Sequence, residues 1–182
     1  INMQSKKVAI SKFDKYCYRI IRKNIRYFLI RCAKKYDRRN LRVLDIAPQI
    51  HEEALVYFKK AKVETFDINP DSNTTYRGDI TKYNRFLKSG TFDIIVCTEV
   101  LEHVLNPFST VKEIYRLLKP SGILLLSAPF NFRIHGPLPD CWRFTKYGLR
   151  ELLKKFKIIE LNSIDTPKRN LMPIHYTVIA MK

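Results

Sequence analysis

The sequence predicts an α/β fold, a mostly parallel sheet sandwiched between helices, and three observations carry that prediction. The stretch from Phe92 to Ser127 reads strand, helix, strand with short links, a βαβ unit whose two strands must run parallel. Ahead of it, strand-like and helix-like segments alternate, and successive strand ends carry Asp45, Asp67 and Asp79. Behind it, Lys157 to Ser163 and Ile174 to Met181 read as two closing strands paired antiparallel.

Each element has its own local reason. Residues 8–36 place Phe13, Tyr16, Cys17, Ile20, Ile21, Phe28 and Cys32 near helical spacing, with lysines and arginines filling most other positions. This predicts one or two amphipathic helices packed on the domain with a solvated basic face. Arg42 to Ala47 reads as a buried strand, and His51 to Ala61 as a short helix with Ala54, Leu55 and Phe58 inward. Lys62 to Asp67 is the next strand, ended by the turn cluster Asn69-Pro70-Asp71. Thr75 to Gly78 reads as a short strand, followed by Asp79. Ile94 to Cys97 is a continuous apolar run rich in β-branched residues, as a strand buried on both faces requires. Asn106 and Pro107 suit the cap and first position of a helix, and Val111, Ile114, Tyr115 and Leu118 form its apolar stripe. Lys119-Pro120-Ser121-Gly122 reads as a turn before the strand Ile123 to Ser127. After the long loop from Pro129 to Phe144, Thr145 caps a helix whose stripe is Leu149, Leu152, Leu153 and Phe156.

Composition narrows the class. The 182 residues are 46% hydrophobic and 28% charged, ordinary for one globular domain, and no apolar run approaches the ~20 residues of a membrane-spanning helix. Cys17, Cys32, Cys97 and Cys141 show no metal-binding spacing, no metal cluster is apparent, and reduced thiols in a cytoplasmic protein are expected. No secretory signal pattern is visible, and a longer polypeptide ahead of Ile1 stays open. The net charge of +17 is uneven: residues 1–42 hold fourteen Lys and Arg against Asp14 and Asp37, leaving only +5 for the rest. The chain therefore divides into a basic amphipathic helical segment, 1–40, and a domain from 41 to 182. The basic segment is suited to an anionic membrane surface or a polyanion, which would make the protein membrane-peripheral.

Ligands of parallel sheets lie beyond the carboxyl ends of the strands. Three aspartates there, with Asp67 22 positions after Asp45, match the way nucleotide-type ribose hydroxyls are held. The runs Val43-Leu44-Asp45-Ile46, Phe66-Asp67-Ile68, Gly78-Asp79-Ile80, Phe92 to Val104 and Leu117 to Gly122 resemble the class I S-adenosylmethionine-dependent methyltransferases, in particular their small type 11 group. The resemblance covers about residues 41 to 182. It implies a three-layer sandwich with a seven-stranded sheet and the cofactor S-adenosylmethionine across strands one to four. It also implies that Asp67, with Ile68 beside it, holds the ribose, Asp79 and Ile80 the adenine, and Thr98 to His103, Glu99 included, flank the methionine end. In place of the family's Asp-x-Gly-x-Gly-x-Gly loop the chain has Asp45-Ile46-Ala47-Pro48-Gln49-Ile50-His51, without glycine. A rearranged loop, with Gln49 supplying a polar contact, is expected to work.

The loop Asn131 to Thr145 packs His135, Asp140, Arg133, Arg143 and Trp142 together, as binding loops do. Its His-Gly-Pro-x-Pro-Asp-x-Trp-Arg-Phe-Thr run resembles methyltransferases associated with cell-surface glycan synthesis. Methyl transfer to a hydroxyl needs a general base, and His135 and His103 stand on the correct edge, His135 first. Asp140 would orient it or accept a hydrogen bond from a sugar hydroxyl, Trp142 would stack on a sugar, Arg143 would meet a phosphate or carboxylate, and Arg133 belongs to the same substrate-binding set. His51 and His175 have no comparable setting in the sequence. The expected reaction is O-methylation of a sugar, glycan or other small acceptor. An RNA methyltransferase and a non-catalytic methyltransferase-like binding module are the alternatives. Against the former, Thr98-Glu99-Val100-Leu101 stands where base-amino methyltransferases carry an Asn/Asp-Pro-Pro-aromatic motif.

Overall fold

The computed structural model describes residues 9–48 and 54–182. Seven strands form one sheet in the order β3-β2-β1-β4-β5-β7-β6. They are β1 (Arg42–Ile46), β2 (Lys62–Asp67), β3 (Tyr76–Arg77), β4 (Phe92–Thr98), β5 (Leu118–Pro129), β6 (Lys157–Asp165) and β7 (Pro173–Met181). Strands β1 to β5 pair parallel, and β7 runs antiparallel between β5 and β6. The chain leaves β1 toward β2 and β3 on one side and returns to β4 on the other, so the strand order reverses between β1 and β4. That switch point is where open parallel sheets bind ligands. Strands β4 and β7, buried along almost their whole length, are the apolar runs of the sequence, whereas β6 closes an edge with Lys157, Glu160, Asn162 and Asp165.

Helices cover both faces. On one, α1 (Lys12–Tyr36) buries Cys17, Ile21, Ile25, Phe28, Leu29, Cys32 and Ala33 against Val43, Ile94, Val96, Leu125 and Ile179 of the sheet. Burying one such Ile, Leu or Phe is worth ~1.5–3 kcal/mol, so this stripe dominates how the helix is held. The helix starts with a capping box in which Ser11 and Asp14 bond each other's backbone N–H groups. At its other end the Asp37 carboxylate accepts the N–H groups of Lys59, Lys60 and Ala61, and an Arg31–Glu160 pair ties it to β6. On the opposite face, α3 (Pro107–Leu117) and α4 (Lys146–Leu152) pack Val111, Ile114, Leu117, Leu149 and Leu152 onto Leu44, Ile95, Leu124, Leu126 and Val178.

Among the described residues the basic segment holds one helix of 25 residues, within the one or two expected. Some expectations needed correction. Leu55 in α2 (Ala54–Tyr57) is exposed, while Ala54 and Phe58 are buried as expected. The backbone becomes extended at Leu118, directly after α3, and the predicted turn at 119–122 is a register shift within β5, with Ser121 at φ +61°. The start of the helix predicted from His51 lies outside the described residues.

Ala47, in the place of the missing first glycine, has φ +50°, the left-handed region that favours glycine. Left-handed backbone costs an L-residue roughly 1–2 kcal/mol, partly offset by the greater unfolded-state entropy of glycine. Ala47→Gly is therefore expected to hold or raise stability by up to ~1 kcal/mol, a rise of ~2–4 °C in Tm by scanning calorimetry. A lower Tm would show that glycine's freedom is not what position 47 wants.

Two buried carboxylates fasten the periphery. Glu64 bonds Arg42 and Tyr76, and Glu113 bonds Arg116 and the Asn84 backbone N–H. Burial pushes both up, but these bonds overcome it and hold both below the usual glutamate range. The folded pKa lies below the unfolded one, so the stability is complete above about pH 4.5 and lost as pH falls through the lowered values. Glu64→Gln and Glu113→Gln should each flatten the acid limb of stability against pH, measured by urea unfolding between about pH 5 and 3. Limbs as steep as in the parent chain would remove these two groups from the account.

Candidate active site

The carboxyl ends of β1, β2 and β3 bring the three aspartates to the switch-point edge. Asp45 is buried and accepts the Ala54 N–H at 2.6 Å, so it ties the β1 exit to the start of α2. Asp67 closes β2 half-buried. Its Oδ1 accepts the Asn69 N–H at 2.8 Å, and among the described residues no hydrogen-bond partner takes Oδ2. Asp79 bonds the backbone and hydroxyl of Thr81 through Oδ1, and Ile80 behind it is buried. Ile68 is 66% exposed beside Asp67, an apolar side chain left at the mouth of the crevice. Ala47, at the β1 exit, donates its N–H to the Phe66 carbonyl.

The exit of β4 is more tightly built. Thr98 is buried at the strand end, and Glu99 follows at φ +55°, a strained conformation for a residue with a side chain. That turn sends the Glu99 carboxylate inward, where Oε1 accepts from Ser127 Oγ and meets His175 Nε2, both at 2.8 Å. His175 is fully buried on β7, and its Nδ1 faces the Asn24 amide of α1 at 2.8 Å. With that amide placed to donate, Nδ1 is the acceptor and Nε2–H the donor to Glu99. Glu102, three residues on, is also fully buried, yet among the described residues neither of its oxygens has a hydrogen-bond partner. Burial first, and the Glu99 charge second, push the Glu102 carboxyl well above the usual range. Burial acts on Glu99 too, but its contact with His175 and the Ser127 bond hold it low. Two carboxyls driven apart in this way divide the roles of acid and anion between them.

The loop after β5 closes over this turn. The Cys141 and Trp142 N–H groups donate to the Glu102 carbonyl, and Trp142 Nε1 donates to the Val104 carbonyl. His135 is thereby brought to His103, ring centroids 4.8 Å apart, with each Nε2 3.9 Å from Glu102 Oε1. Asp140 holds His135 from behind: Oδ2 accepts the His135 backbone N–H and lies 3.0 Å from Nδ1. Burial raises Asp140, but its bonds to Arg143 and the His135 backbone prevail and hold it to about 2. Burial holds the His135 imidazole below its ordinary range despite the Asp140 charge, so it is neutral at pH 7.

Residues 13–168 match the model of a family described as a methyltransferase domain. The chain belongs to that family. The methyltransferase domain is 31% identical over 84 residues to a ubiquinone biosynthesis O-methyltransferase of Xanthomonas oryzae, covering 46% of this chain and 31% of that protein. It is 34% identical over 99 residues to a probable polyketide synthase of Dictyostelium discoideum, covering 50% of this chain and 4% of that one. The chain thus spans less than a third of the length of either relative. Among solved structures, an S-adenosylmethionine-dependent methyltransferase from Archaeoglobus fulgidus superposes with a TM-score of 0.66 at 17% identity, covering 91% of this chain and 99% of that one. One from Methanosarcina mazei gives 0.62 at 20% identity, covering 82% and 95%. At those identities the likeness speaks for the fold.

The family implies S-adenosylmethionine as the cofactor, and the edge fits it: Asp67 Oδ2, without a hydrogen-bond partner among the described residues, suits a ribose hydroxyl, and the left-handed backbone at Ala47 is the conformation a glycine would take there. Several sequence-predicted roles change. Gln49 and His51 lie outside the described residues. Glu99, expected at the cofactor, is occupied by Ser127 and His175 in the interior. His175, expected to be unremarkable, is the buried link from that glutamate to α1. Arg143, expected to meet a substrate anion, spends its guanidinium on Asp140 and on the carbonyls of Phe132, Arg133 and Trp142, so it holds the loop. Asp140 is likewise committed to His135 and Arg143, the orienting role expected of it. Trp142 leans on Phe144 with 37% of its surface exposed. Glu102 lies inside the expected Thr98 to His103 stretch but has no role of its own in the sequence reading, although its place in Glu-x-x-Glu-His after a buried strand marks the right edge.

Proposed function

We propose that this methyltransferase domain methylates a hydroxyl group of a sugar or glycan acceptor that also carries an anionic group. The observation behind this reading is that His135 belongs to two surroundings at once. It faces Glu102 and His103, and it lines a cleft of about 990 Å³ between the start of α1 and the loop after β5. The cleft walls pair Tyr18, Phe132 and Ile134 with Lys12, Lys15, Arg19 and Arg133 and with the carboxylate of Asp14, 3.7 Å from Arg133, a net positive lining that suits an acceptor with a carbon framework and a negative charge. Bound S-adenosylmethionine supplies the electrophilic methyl group. The chain's own residues must seat the acceptor hydroxyl and receive its proton as its oxygen becomes the nucleophile. Neutral His135, oriented by Asp140, has the protonation state for that role. A ubiquinone biosynthesis O-methyltransferase among the relatives supports an oxygen acceptor. Calorimetric titration of the full chain with S-adenosylmethionine, followed by S-adenosylhomocysteine release with anionic and neutral sugars, tests the reading. Absence of cofactor binding would favour a non-catalytic module; turnover only with RNA would replace the acceptor class.

Beyond the cleft, α1 exposes Lys23 and Arg26 together with Phe13 and Tyr27, and Lys12, Lys15 and Arg19 continue the basic face at the cleft rim. We place this face against an anionic lipid surface or acidic polymer, with the protein peripheral on the cytoplasmic side. The full chain should co-sediment with phosphatidylserine-containing vesicles at low salt and lose them as salt rises. Binding to purely zwitterionic vesicles that salt leaves unchanged would contradict this.

A further inference from the structure

The arrangement around Glu102 is unbalanced as it stands. His103 Nδ1 lies 3.1 Å from the Pro139 carbonyl, and His135 Nδ1 lies 3.3 Å from the Arg133 carbonyl and 3.0 Å from Asp140 Oδ2. All three neighbours are acceptors, so each imidazole keeps its proton on Nδ1 and turns the lone pair of Nε2 inward. Both lone pairs face the same oxygen of a carboxyl group that is 0% exposed and has no hydrogen-bond partner among the described residues. Three electron-rich atoms thus converge with no donor between them. A proton on Glu102 would serve one imidazole and leave the other unmatched.

We propose that Glu102, His103 and His135 form a binding site for one divalent transition-metal cation. Their ligand atoms lie within 4.8 Å of one another. Nitrogen and carboxylate ligands bind Zn²⁺ at ~2.0–2.2 Å, so the side chains need close inward by only about half an ångström each. Two imidazoles and one carboxylate are a donor set for Zn²⁺, Co²⁺ or Mn²⁺, with further positions left for water or an acceptor oxygen. The outer contacts are those of ligating histidines, with the second ring nitrogen of each directed at a carbonyl or carboxylate. The sequence showed no metal spacing because His135 lies 32 positions after His103, and the N–H groups of Cys141 and Trp142 on the Glu102 carbonyl close that distance.

The binding site stands on these contacts alone. Its part in catalysis rests on the methyltransferase reading: a cation beside the cleft would lower the pKa of the acceptor hydroxyl, whose proton passes to solvent. In that case His135 Nε2 would be a ligand and no longer the base, the cation would supply Lewis acidity, and solvent would take the hydroxyl proton.

The test uses the chelator-treated full chain, titrated with Zn²⁺ by calorimetry and with Co²⁺ by visible absorption, alongside S-adenosylmethionine binding. One equivalent of metal is expected, with d–d bands of a bound Co²⁺ centre. Glu102→Gln, close in shape and neutral, and His103→Ala should each weaken binding ten-fold or more, with circular dichroism confirming that both fold. No binding by the parent chain, or binding that both folded variants retain, would overturn the site. Failure to bind S-adenosylmethionine in the parallel titration would instead overturn the methyltransferase reading and leave the metal result standing.

Discussion

His135→Ala is expected to lower methyl-transfer turnover by roughly 10²–10⁴-fold and to leave S-adenosylmethionine affinity nearly unchanged. The separation follows from where the residue sits. Its ring meets Phe132, His103 and Asp140, while Asp45, Asp67 and Asp79 stand at the exits of β1, β2 and β3. His135→Asn should be about as slow, because an amide offers neither a titrating base nor an imidazole lone pair. In the parent enzyme the acid limb of the pH–rate profile should lie below the ordinary ~6.5 of histidine, since burial holds this imidazole low. The sign is fixed: the neutral form is active, so the rate falls as pH drops through the lowered value. Steady-state rates and calorimetric affinities for the two variants check both parts. If His135→Ala stays active while His103→Ala is dead, the two histidines exchange roles.

The second large effect is expected at Asp67. Its carboxylate closes β2 with one oxygen used by the Asn69 N–H and the other without a hydrogen-bond partner among the described residues, so a ribose would find a fixed acceptor. Asp67→Ala should weaken S-adenosylmethionine binding ten-fold or more, on the order of 1.5–3 kcal/mol for charge-assisted bonds. Asp67→Asn should recover part of this, since an amide oxygen still accepts. Equal affinity in a folded Asp67→Ala protein would move the ribose contact elsewhere on the edge.

The legible parts of the sequence were those whose signal is local. The βαβ unit at 92–127 and the mostly apolar run of β7 announce buried strands, because a local pattern suffices to fix them. The aspartates at the strand ends were legible for the same reason. What escaped reading depends on partners far away in the chain. Arg143 has the composition of an anion binder, and only the folded loop shows that its donors are consumed at home. His175 looked isolated because Glu99 and Asn24 lie 76 and 151 positions from it. Leu55 illustrates the converse: on the four-residue helix Ala54–Tyr57, an apolar residue alone does not say which way it faces.

The attachment of α1 bears on how the protein can be cut. Its buried stripe, the Asn24–His175 bond and the Asp37 carboxylate on residues 59–61 all hold it without reference to the backbone that joins it to β1. A protease that nicks the exposed Arg38–Asn40 connector would therefore leave two pieces bound as one particle. Deleting the helix is a different operation, for it strips Val43, Ile94, Val96, Leu125 and Ile179 to water. The helix is then best regarded as a tight-binding peptide tethered to its own receptor, able in principle to be supplied in trans.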